Sequence, residues 1–415
     1  MKITLMTVGS HGDVRPYVAL AKGLQAQGAR PCIATHAEFG PWIQGLGLDF
    51  HPVKGNPRDV LQGEAGQNLL RTGANPLRFV QAFKAAAQDA MQEGFDDCLA
   101  AAQGADAVVA PFFVAPIAGL ITQVLRQKLV LGYLQPITPT QSFPMMLLPF
   151  YLGGWLNRAS HQLTRQLFWQ TFYDITADWS QARLNVKPSR LSPFGQLEKQ
   201  ALVLCAYSRY LVPHPPDWPA NHHTTGFWLL DAAADYQPPD VLNDFLASGE
   251  KPVYVGFGSM SNEDPEATTR TVLAALERTR QRAVMLSGWG GLVQSDVSEN
   301  ILMLDAVPHD WLFPRMRALV HHAGAGTTAA GLHAGVPAVP VPYFGDQPFW
   351  AQRLFGMGAG VRPVPRVRLS TERLARALEA AVEPRLQERA AALGLQVNKE
   401  QGVQTAVQQI TRFLA

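Results

Sequence analysis

Charged residues are scarce in this sequence. They account for 16% of the 415 residues, against roughly a quarter in typical soluble domains. The formal net charge is +2, and lysine and arginine form no run. Neither a nucleic-acid-binding track nor a strongly basic membrane patch is indicated. We therefore expect small molecules, and no nucleic acid, as partners.

Cysteine is scarcer still. The three cysteines, Cys32, Cys98 and Cys205, lie far apart and show no Cys-x-x-Cys spacing. This pattern argues against a zinc site and against a disulfide framework. A reducing cytoplasm is the compartment that fits it best.

Long apolar runs are also missing. The most apolar stretches, 108–121 and 143–156, contain prolines and are shorter than the roughly 20 residues needed to span a bilayer. The opening MKITLMTVGS predicts a short strand rather than the apolar part of a secretory signal. The sequence predicts neither a transmembrane segment nor export.

Hydrophobic residues, in contrast, make up 47% of the chain, and this length predicts two domains of about 200 residues each. Strand-like and helix-like segments alternate in two series. The first opens with a β-α-β unit over 3–8, 14–27 and 30–35, and the second begins with a strand at 253–257. Such alternation predicts parallel sheets covered by helices. The intervening 212–239 is crowded with proline and predicts an interdomain connection.

These patterns predict an α/β fold with two doubly wound, Rossmann-like domains. Ligands of such sheets bind at the carboxyl ends of the strands, so we expect the function to lie in a cleft between the domains. We expect the terminal stretch to close the second domain, and whether its end crosses back to the first stays open. The predicted parts are an N-terminal domain at 1–215, a linker at 216–240, a C-terminal domain at 241–390 and the terminal helix at 391–415.

The segment VHHAGAGTTAAGLHAGVP, at 320–337, predicts a strand, a glycine-containing turn and a helix that begins near Thr327. Glycines let the backbone approach a ligand, and amides and hydroxyls at a helix start donate to diphosphate oxygens. A turn in which glycine serves only close packing is the alternative. The segment matches neither a Walker loop nor the dinucleotide-binding glycine motif. Its candidate diphosphate ligands are His322, Gly324, Gly326, Thr327 and Thr328.

The longer segment HHAGAGTTAAGLHAGVPAVPVPYFGDQPFWAQRL, at 321–354, resembles the donor-binding signature of the inverting nucleotide-sugar glycosyltransferases with the GT-B fold. GSHGDVRPYVALAKGLQAQGARPCIATH, at 9–36, is similar to the opening of their sterol and lipid glucosyltransferase branch and of the antibiotic glycosyltransferases. GFGSM at 256–260 and SGWGGL at 287–292 match the same pattern. The resemblance implies two Rossmann-like domains facing a cleft. It also implies a UDP-sugar as co-substrate, with no metal required and no further cofactor.

The same resemblance implies roles on the donor side. Ser259 joins the diphosphate ligands, and the segment with Val307 and His309 cradles the base, which pairs with the backbone of Val307. Ala306 and Ala330 depart from the plant relatives, which carry a stacking aromatic residue and a ribose-binding glutamate there. A dTDP-sugar therefore stays open as an alternative donor.

Asp346 and Gln347 match the pair that hydrogen-bonds sugar hydroxyls in glucose-using relatives. A carboxylate beside an amide suits vicinal hydroxyls, because both groups accept and the amide also donates. This match implies a hexose such as glucose. A solvated surface pair is the alternative.

Asp13 is the predicted catalytic base. It matches the acidic position of the sterol and antibiotic branches, and a base must remove the acceptor hydroxyl proton as that oxygen attacks the anomeric carbon. The alternative role is helix capping, since VRPYVALAKGL follows directly. His11 either assists in catalysis or shapes the turn.

A stretch rich in methionine and aromatic residues, from 143 onward, lies where this family builds its acceptor pocket. Such side chains suit a sterol or terpenoid, a phenolic or polyketide, or a hydroxylated lipid. An ordinary helical core is the alternative. Arg158 and Arg165 would allow weak peripheral contact of a cytoplasmic protein with a membrane. The predicted acceptor contacts are Phe143, Met146, Trp169 and Phe172.

The sequence thus predicts an enzyme that transfers a hexose onto an apolar alcohol, and the resemblance implies inversion at the anomeric carbon. A non-catalytic protein that binds a nucleotide-sugar or a lipid on the same fold is the alternative from another class.

Overall fold

The computed structural model describes residues 1–55, 91–148, 151–230, 236–258, 264–287, 292 and 298–415. The chain divides into two compact units. Unit 1 comprises Met1–Tyr207, His214–Leu230 and Gln401–Ala415, and unit 2 comprises Ser208–Pro213 and Asp231–Glu400.

Unit 1 is built on a parallel sheet. Its described strands run in the order β3-β2-β1-β4-β5-β6-β7. Strands such as Ala107–Ala110 are buried at every position, as expected where helices cover both faces. The strand order reverses beside β1, which opens a crevice there. The strands are β1 (Lys2–Met6), β2 (Arg30–Thr35), β3 (Asp49–Pro52), β4 (Ala107–Ala110), β5 (Lys128–Tyr133), β6 (Leu202–Cys205) and β7 (His222–Thr224).

The described helices of unit 1 include the first helix of the chain, which follows β1, and the last helix of the chain. They are α1 (His11–Ala26), α2 (Gly40–Gly45), α3 (91–102), α4 (Ala115–Leu125), α5 (Gly154–Leu184), α6 (Phe194–Gln200) and α14 (Gly402–Leu414).

Unit 2 contains a second parallel sheet, in the order β10-β9-β8-β11-β12. Its strands are β8 (Val253–Gly256), β9 (Ala283–Leu286), β10 (Ile301–Leu304), β11 (Leu319–His321) and β12 (Ala338–Pro340). Its described helices are α7 (Asp240–Ala247), α8 (Pro265–Thr279), α9 (His309–Leu312), α10 (Ala325–Ala334), α11 (Gln347–Met357), α12 (Thr371–Ala381) and α13 (Pro384–Val397).

The predicted linker at 216–240 differs from the structure. It contains β7, which pairs in parallel with β6 and extends the first sheet. The sequence did not reveal this strand because it is only three residues long and lies in proline-rich surroundings. Unit 1 therefore continues beyond 215, to Leu230.

The predicted terminal helix at 391–415 is two helices. α13 ends at Val397 in unit 2 and α14 begins at Gly402 in unit 1, with Gln401 in a left-handed conformation (φ 49°) between them. α14 packs on α1 where Gly23 faces Val403, since a Cβ at Gly23 would lie 2.4 Å from the Val403 Cγ1 atom. The last helix thus belongs to the N-terminal unit.

Among the described helices, none combines the length and the apolar character required to cross a bilayer.

Candidate active site

The turn after β1 presents a carboxylate. Ser10 caps α1, and its hydroxyl accepts a hydrogen bond from the Gly12 amide (3.3 Å). The Asp13 carboxylate accepts from the Ser10 amide (2.9 Å) and from the Ser10 hydroxyl (3.0 Å). The predicted alternative role of Asp13, helix capping, is therefore present as the acidic half of a capping box. Burial raises the pKa of Asp13 above its ordinary value, although the hydrogen bonds from Ser10 act in the opposite direction.

Gly9 leaves the space that this carboxylate fills. Its φ of +127° suits glycine, and a Cβ there would lie 2.5 Å from the Asp13 Oδ2 atom. Any larger residue would displace the carboxylate.

His36, which the sequence analysis missed, fixes the same turn. It is 1% exposed, and its Nε2 atom accepts from the Gly9 amide (3.1 Å) while its Nδ1 atom lies 3.2 Å from the Val53 carbonyl oxygen. A neutral ring with its proton on Nδ1 satisfies both partners. The only signal in the sequence is the position of His36, directly after β2, where a parallel sheet carries its ligands.

A cavity of about 380 Å³ lies beside Asp13 in unit 1. Its walls are almost entirely apolar. Among the described lining residues, Asp13 carries the sole carboxylate and Lys54 the sole side-chain ammonium group. The volume lies in the range of roughly 300–1,000 Å³ that is usual for small-molecule sites. The lining residues that carry the argument are Asp13, Phe113, Phe168, Trp169, Phe172 and Thr176.

Two of the four predicted acceptor contacts, Trp169 and Phe172, therefore line this cavity. Phe143 and Met146 are not among its described lining residues. Phe143 is buried and packs edge-on against His161, with ring centroids 5.9 Å apart. An acceptor role for Phe143 and Met146 stays a prediction.

His11 stands apart from this cavity. Its ring packs edge-on against Phe39 (centroids 5.0 Å) and beside Trp42 (5.1 Å), and it is absent from the described cavity lining. Burial and the Arg15 charge lower the pKa of His11. Whether His11 assists in catalysis or shapes the turn stays a prediction.

The proposed membrane contact of Arg165 is wrong. Its side chain is 5% exposed and forms an ion pair with Glu198, with a bond of 2.9 Å from Nη1 to Oε2. Removing a paired guanidinium from its buried partner would leave an uncompensated charge. Arg165 is thus a buried residue of α5. Arg158 remains at the surface, 3.9 Å from Asp217.

The predicted donor residues follow the carboxyl ends of strands in unit 2. The His322–Gly324 turn follows β11, the Asp346 loop follows β12, and the Val307 segment follows β10. Because the strands are parallel, these ends lie at one edge of the sheet. The structure thus brings the described donor-side residues to one edge. Ser259 lies outside the described residues.

The His322 ring occupies a slot between two glycines. A Cβ at Gly258 would lie 3.0 Å from its Cε1 atom, and a Cβ at Gly324 would lie 2.4 Å from its Nε2 atom. Gly258, two residues after the end of β8, is a further site residue that the sequence did not indicate. Burial lowers the pKa of His322 to about 4. The ring is therefore neutral near pH 7 and can act as a hydrogen-bond donor without a charge.

α10 begins at this slot without a side-chain cap. Gly324 is its N-cap residue, and no side chain accepts from the first amides. The Nδ1 atom of His322 and the hydroxyl of Thr328 are buried without a hydrogen-bond partner. Gly326 and Thr327 lie in the first turn of the same helix. An uncapped helix start surrounded by unpaired polar atoms suits an anionic ligand such as a diphosphate.

His321 stabilises the turn between β11 and α10. Its Nδ1 atom accepts from the Ala323 amide (3.0 Å), and Ala323 has a left-handed conformation (φ 64°). Such a conformation is costly for a residue with a Cβ, so the hydrogen bond helps to hold it.

Val307 and His309 flank the start of the short helix α9. Val307 is buried. The His309 Nε2 atom lies 3.2 Å from the Tyr254 hydroxyl, and its ring stacks on Phe313 with centroids 4.4 Å apart. These contacts fix the segment, and its role toward a base stays a prediction.

Asp346 and Gln347 are held at the start of α11. One Asp346 oxygen accepts from the Trp350 indole (2.8 Å), and the Gln347 side-chain oxygen accepts from the Tyr343 amide (2.8 Å). Both side chains are thus oriented by the protein itself. Their role toward sugar hydroxyls stays a prediction.

Within the described ranges, no group of three or more histidine, cysteine, aspartate or glutamate side chains is arranged to hold a metal ion.

The fold defined by these two units is that of the GT-B glycosyltransferases. The glycosyltransferase of kitacinnamycin superposes with a TM-score of 0.73 at 18% identity, over 100% of this chain and 99% of that one. The calicheamicin glycosyltransferase CalG4 superposes with a TM-score of 0.68 at 17% identity, over 100% and 98%. The predicted fold class is confirmed.

The chain belongs to the UDP-glucoronosyl and UDP-glucosyl transferase family, which matches residues 170–405. Residues 3–113 match the glycosyltransferase family 28 N-terminal domain. The resemblance stated from the sequence motifs is therefore confirmed.

Similar curated proteins are sterol 3-beta-glucosyltransferases. One from Arabidopsis thaliana is 36% identical over all of this chain and 66% of its own length. One from Penicillium rubens (strain ATCC 28089 / DSM 1075 / NRRL 1951 / Wisconsin 54-1255) is 36% identical over all of this chain and 30% of its own length. The chain thus spans about two thirds of the plant relative and less than a third of the fungal one.

Proposed function

We propose that this protein transfers glucose from UDP-glucose to the hydroxyl of a sterol or a similarly flat apolar alcohol. The observation that carries the proposal is the apolar cavity of unit 1, in which Asp13 is the sole acid among the described lining residues. The identity of 36% to sterol 3-beta-glucosyltransferases supports the choice of sugar and acceptor.

Asp13 accepts the proton of the acceptor hydroxyl while that oxygen attacks the anomeric carbon. Its raised pKa makes it a stronger base than an ordinary carboxylate. The apolar walls bind the rest of the alcohol and leave the carboxylate as the group that selects the hydroxyl.

The bond that breaks joins the anomeric carbon to a diphosphate oxygen. Negative charge grows on that oxygen, and the uncapped amides of α10 with neutral His322 stabilise it by hydrogen bonds. A single displacement of this kind inverts the configuration at the anomeric carbon. The step uses a side-chain base and hydrogen-bond donors, and no metal enters it.

Asp346 and Gln347 orient the hexose in this proposal. The Asp346 carboxylate accepts a hydrogen bond from the Trp350 indole, and the Gln347 side-chain oxygen accepts one from the Tyr343 amide. A group that is already oriented loses little entropy when a sugar hydroxyl binds.

The test is a transfer assay with UDP-glucose or dTDP-glucose and a panel of sterol, phenolic and hydroxy-lipid acceptors in detergent, followed by mass spectrometry. We expect a hexose adduct on the sterol with UDP-glucose, and its loss in Asp13→Asn and Asp346→Ala. Binding of either nucleotide-sugar without transfer to any acceptor would contradict the proposal and favour a binding protein. Preference for dTDP-glucose would overturn the choice of donor.

A further inference from the structure

An exposed apolar surface covers the first half of α5. Leu156, Leu163 and Leu167 recur at a spacing of seven and four residues, so they lie on one face of the helix. They are 40%, 61% and 51% exposed, and Trp155 beside them is 71% exposed. Single exposed apolar side chains are ordinary, but a periodic row that no other part of the described chain covers indicates a surface for contact.

The segment that follows α5 adds Leu191 to this surface. The side-chain amide of Gln166 donates to the Arg190 carbonyl (3.0 Å), and the Ser192 amide donates to the Gln166 side-chain oxygen (2.8 Å). These bonds hold the segment along the helix while Leu191 stays 75% exposed. We call Trp155, Leu156, Leu163, Leu167 and Leu191 the apolar face.

Among the described residues, negative charge is absent around most of this face. The sequence contains no aspartate or glutamate between Asp106 and Asp174. The nearby acids are matched by cations, because Asp217 lies 3.9 Å from Arg158 and Asp174 lies 4.0 Å from Arg190. The face therefore carries no net negative charge that would repel an anionic headgroup.

The apolar face continues into the cavity. Phe113 lines the cavity and is also 61% exposed. Its ring lies 5.6 Å from the ring of Phe168, which follows Leu167 in α5 and also lines the cavity. An apolar molecule that leaves a bilayer at this face would thus meet apolar side chains up to the cavity wall.

We propose that the apolar face docks on a lipid bilayer and that the cavity takes its acceptor directly from that bilayer. The part of α5 at 154–173 has leucine and tryptophan on one side, neutral glutamines such as Gln162 and Gln170 beside them and no acid, which suits the headgroup boundary. The docking itself needs only the exposed surface, whereas the identity of the acceptor rests on the proposed function.

The first experiment is co-sedimentation of the full chain with vesicles of phosphatidylcholine and phosphatidylglycerol, without donor or acceptor. The variant Leu163→Gln/Leu167→Gln should partition at least about tenfold more weakly, because it removes two large apolar side chains from the face. Leu395→Gln is the matched control, since Leu395 is 67% exposed on a helix of unit 2. Equal partitioning of the three proteins would overturn the proposal.

A second measurement separates a lipid surface from a second copy of the chain. Sedimentation velocity without vesicles should give the same species for the native protein and the double variant. A dimer that the double variant abolishes would show that the face is a protein interface and would overturn the proposal.

The transfer assay then separates this inference from the proposed function. The double variant should match the native rate with a detergent-dispersed sterol and lose at least about fivefold with the same sterol in vesicles. Vesicle binding without transfer by the native protein would contradict the proposed function alone. Equal losses with both acceptor forms would contradict the docking role.

Discussion

The two units place chemistry at the same kind of junction, a turn from a parallel strand into a helix, but they finish that junction differently. In unit 1, Ser10 and Asp13 form a capping box at the start of α1. In unit 2, α10 starts at Gly324 without any side-chain cap. In a capped helix start, side chains of the protein accept hydrogen bonds from the first amides, and the capping residue can present a carboxylate. In an uncapped start, the first amides remain available to donate hydrogen bonds to an anion. The same local fold therefore suits a base in one unit and a diphosphate site in the other.

Asp13→Asn tests the base most directly. We expect kcat to fall by about 10²- to 10⁴-fold while UDP binding, measured by calorimetry, is unchanged. Asp264→Asn is the matched control, because Asp264 caps α8 by accepting from the Ala267 amide at 2.7 Å and belongs to unit 2. If both variants lost activity equally, capping rather than proton transfer would explain the role of Asp13.

His36→Phe tests how the unit 1 turn is held. It leaves the Gly9 amide and the Val53 carbonyl without their partner, so the free energy of unfolding should fall by about 1–3 kcal/mol in denaturant titrations. His333→Phe, at an exposed position, should stay within about 0.5 kcal/mol of the native protein. An unchanged free energy of unfolding in His36→Phe would show that the hydrogen bonds of His36 do not stabilise the turn.

Gly324→Ala tests the slot in unit 2. The added Cβ would press on the His322 ring, so we expect UDP affinity to fall by roughly tenfold, or about 1.4 kcal/mol. Gly356→Ala meets no atom within 4 Å and should bind UDP as the native protein does. Equal affinity in both variants would remove His322 from the diphosphate site.

The pH dependence of kcat/KM sharpens the difference between the two junctions. Asp13 must be deprotonated to act, and burial raises its pKa above the ordinary value of 3.8. We therefore expect kcat/KM to rise with pH along a limb whose midpoint lies above pH 3.8. Burial lowers the pKa of His322 to about 4, so its ring is neutral near pH 7. The pH profile of the residual activity of Asp13→Asn should lack this rising limb. If the limb persists in the variant, it arises from the titration of another group.

The same pKa shift has a consequence for stability. A carboxyl whose pKa is raised on folding favours the folded state below its unfolded value, and that contribution disappears as pH rises through the folded value. At pH values above the folded-state pKa, burial of the charged carboxylate lowers the free energy of unfolding. In thermal unfolding at neutral pH, Asp13→Asn should therefore be at least as stable as the native protein.

Much of the fold was predictable because buried parallel strands are continuous apolar runs. The predicted strand at 30–35 agrees with β2, and the predicted strand at 253–257 agrees with β8 to within one residue. The missed element, β7, is too short to show a period, and its pairing with β6 depends on residues far away in sequence. The same limitation applied to Arg165, because nothing near it in sequence indicates the buried carboxylate of Glu198.

The sequence by itself determined the two parallel-sheet units and the turns that carry Asp13 and His322, because apolar runs, glycines and caps act within a few residues. The tertiary structure alone decided which side chains complete those turns. His36 reaches Gly9 and Val53 across neighbouring strands, and Gly258 meets His322 from another strand of its sheet. It also decided that α14 packs on α1. Such contacts join residues that only the folding of the sheets brings together, so no local pattern records them.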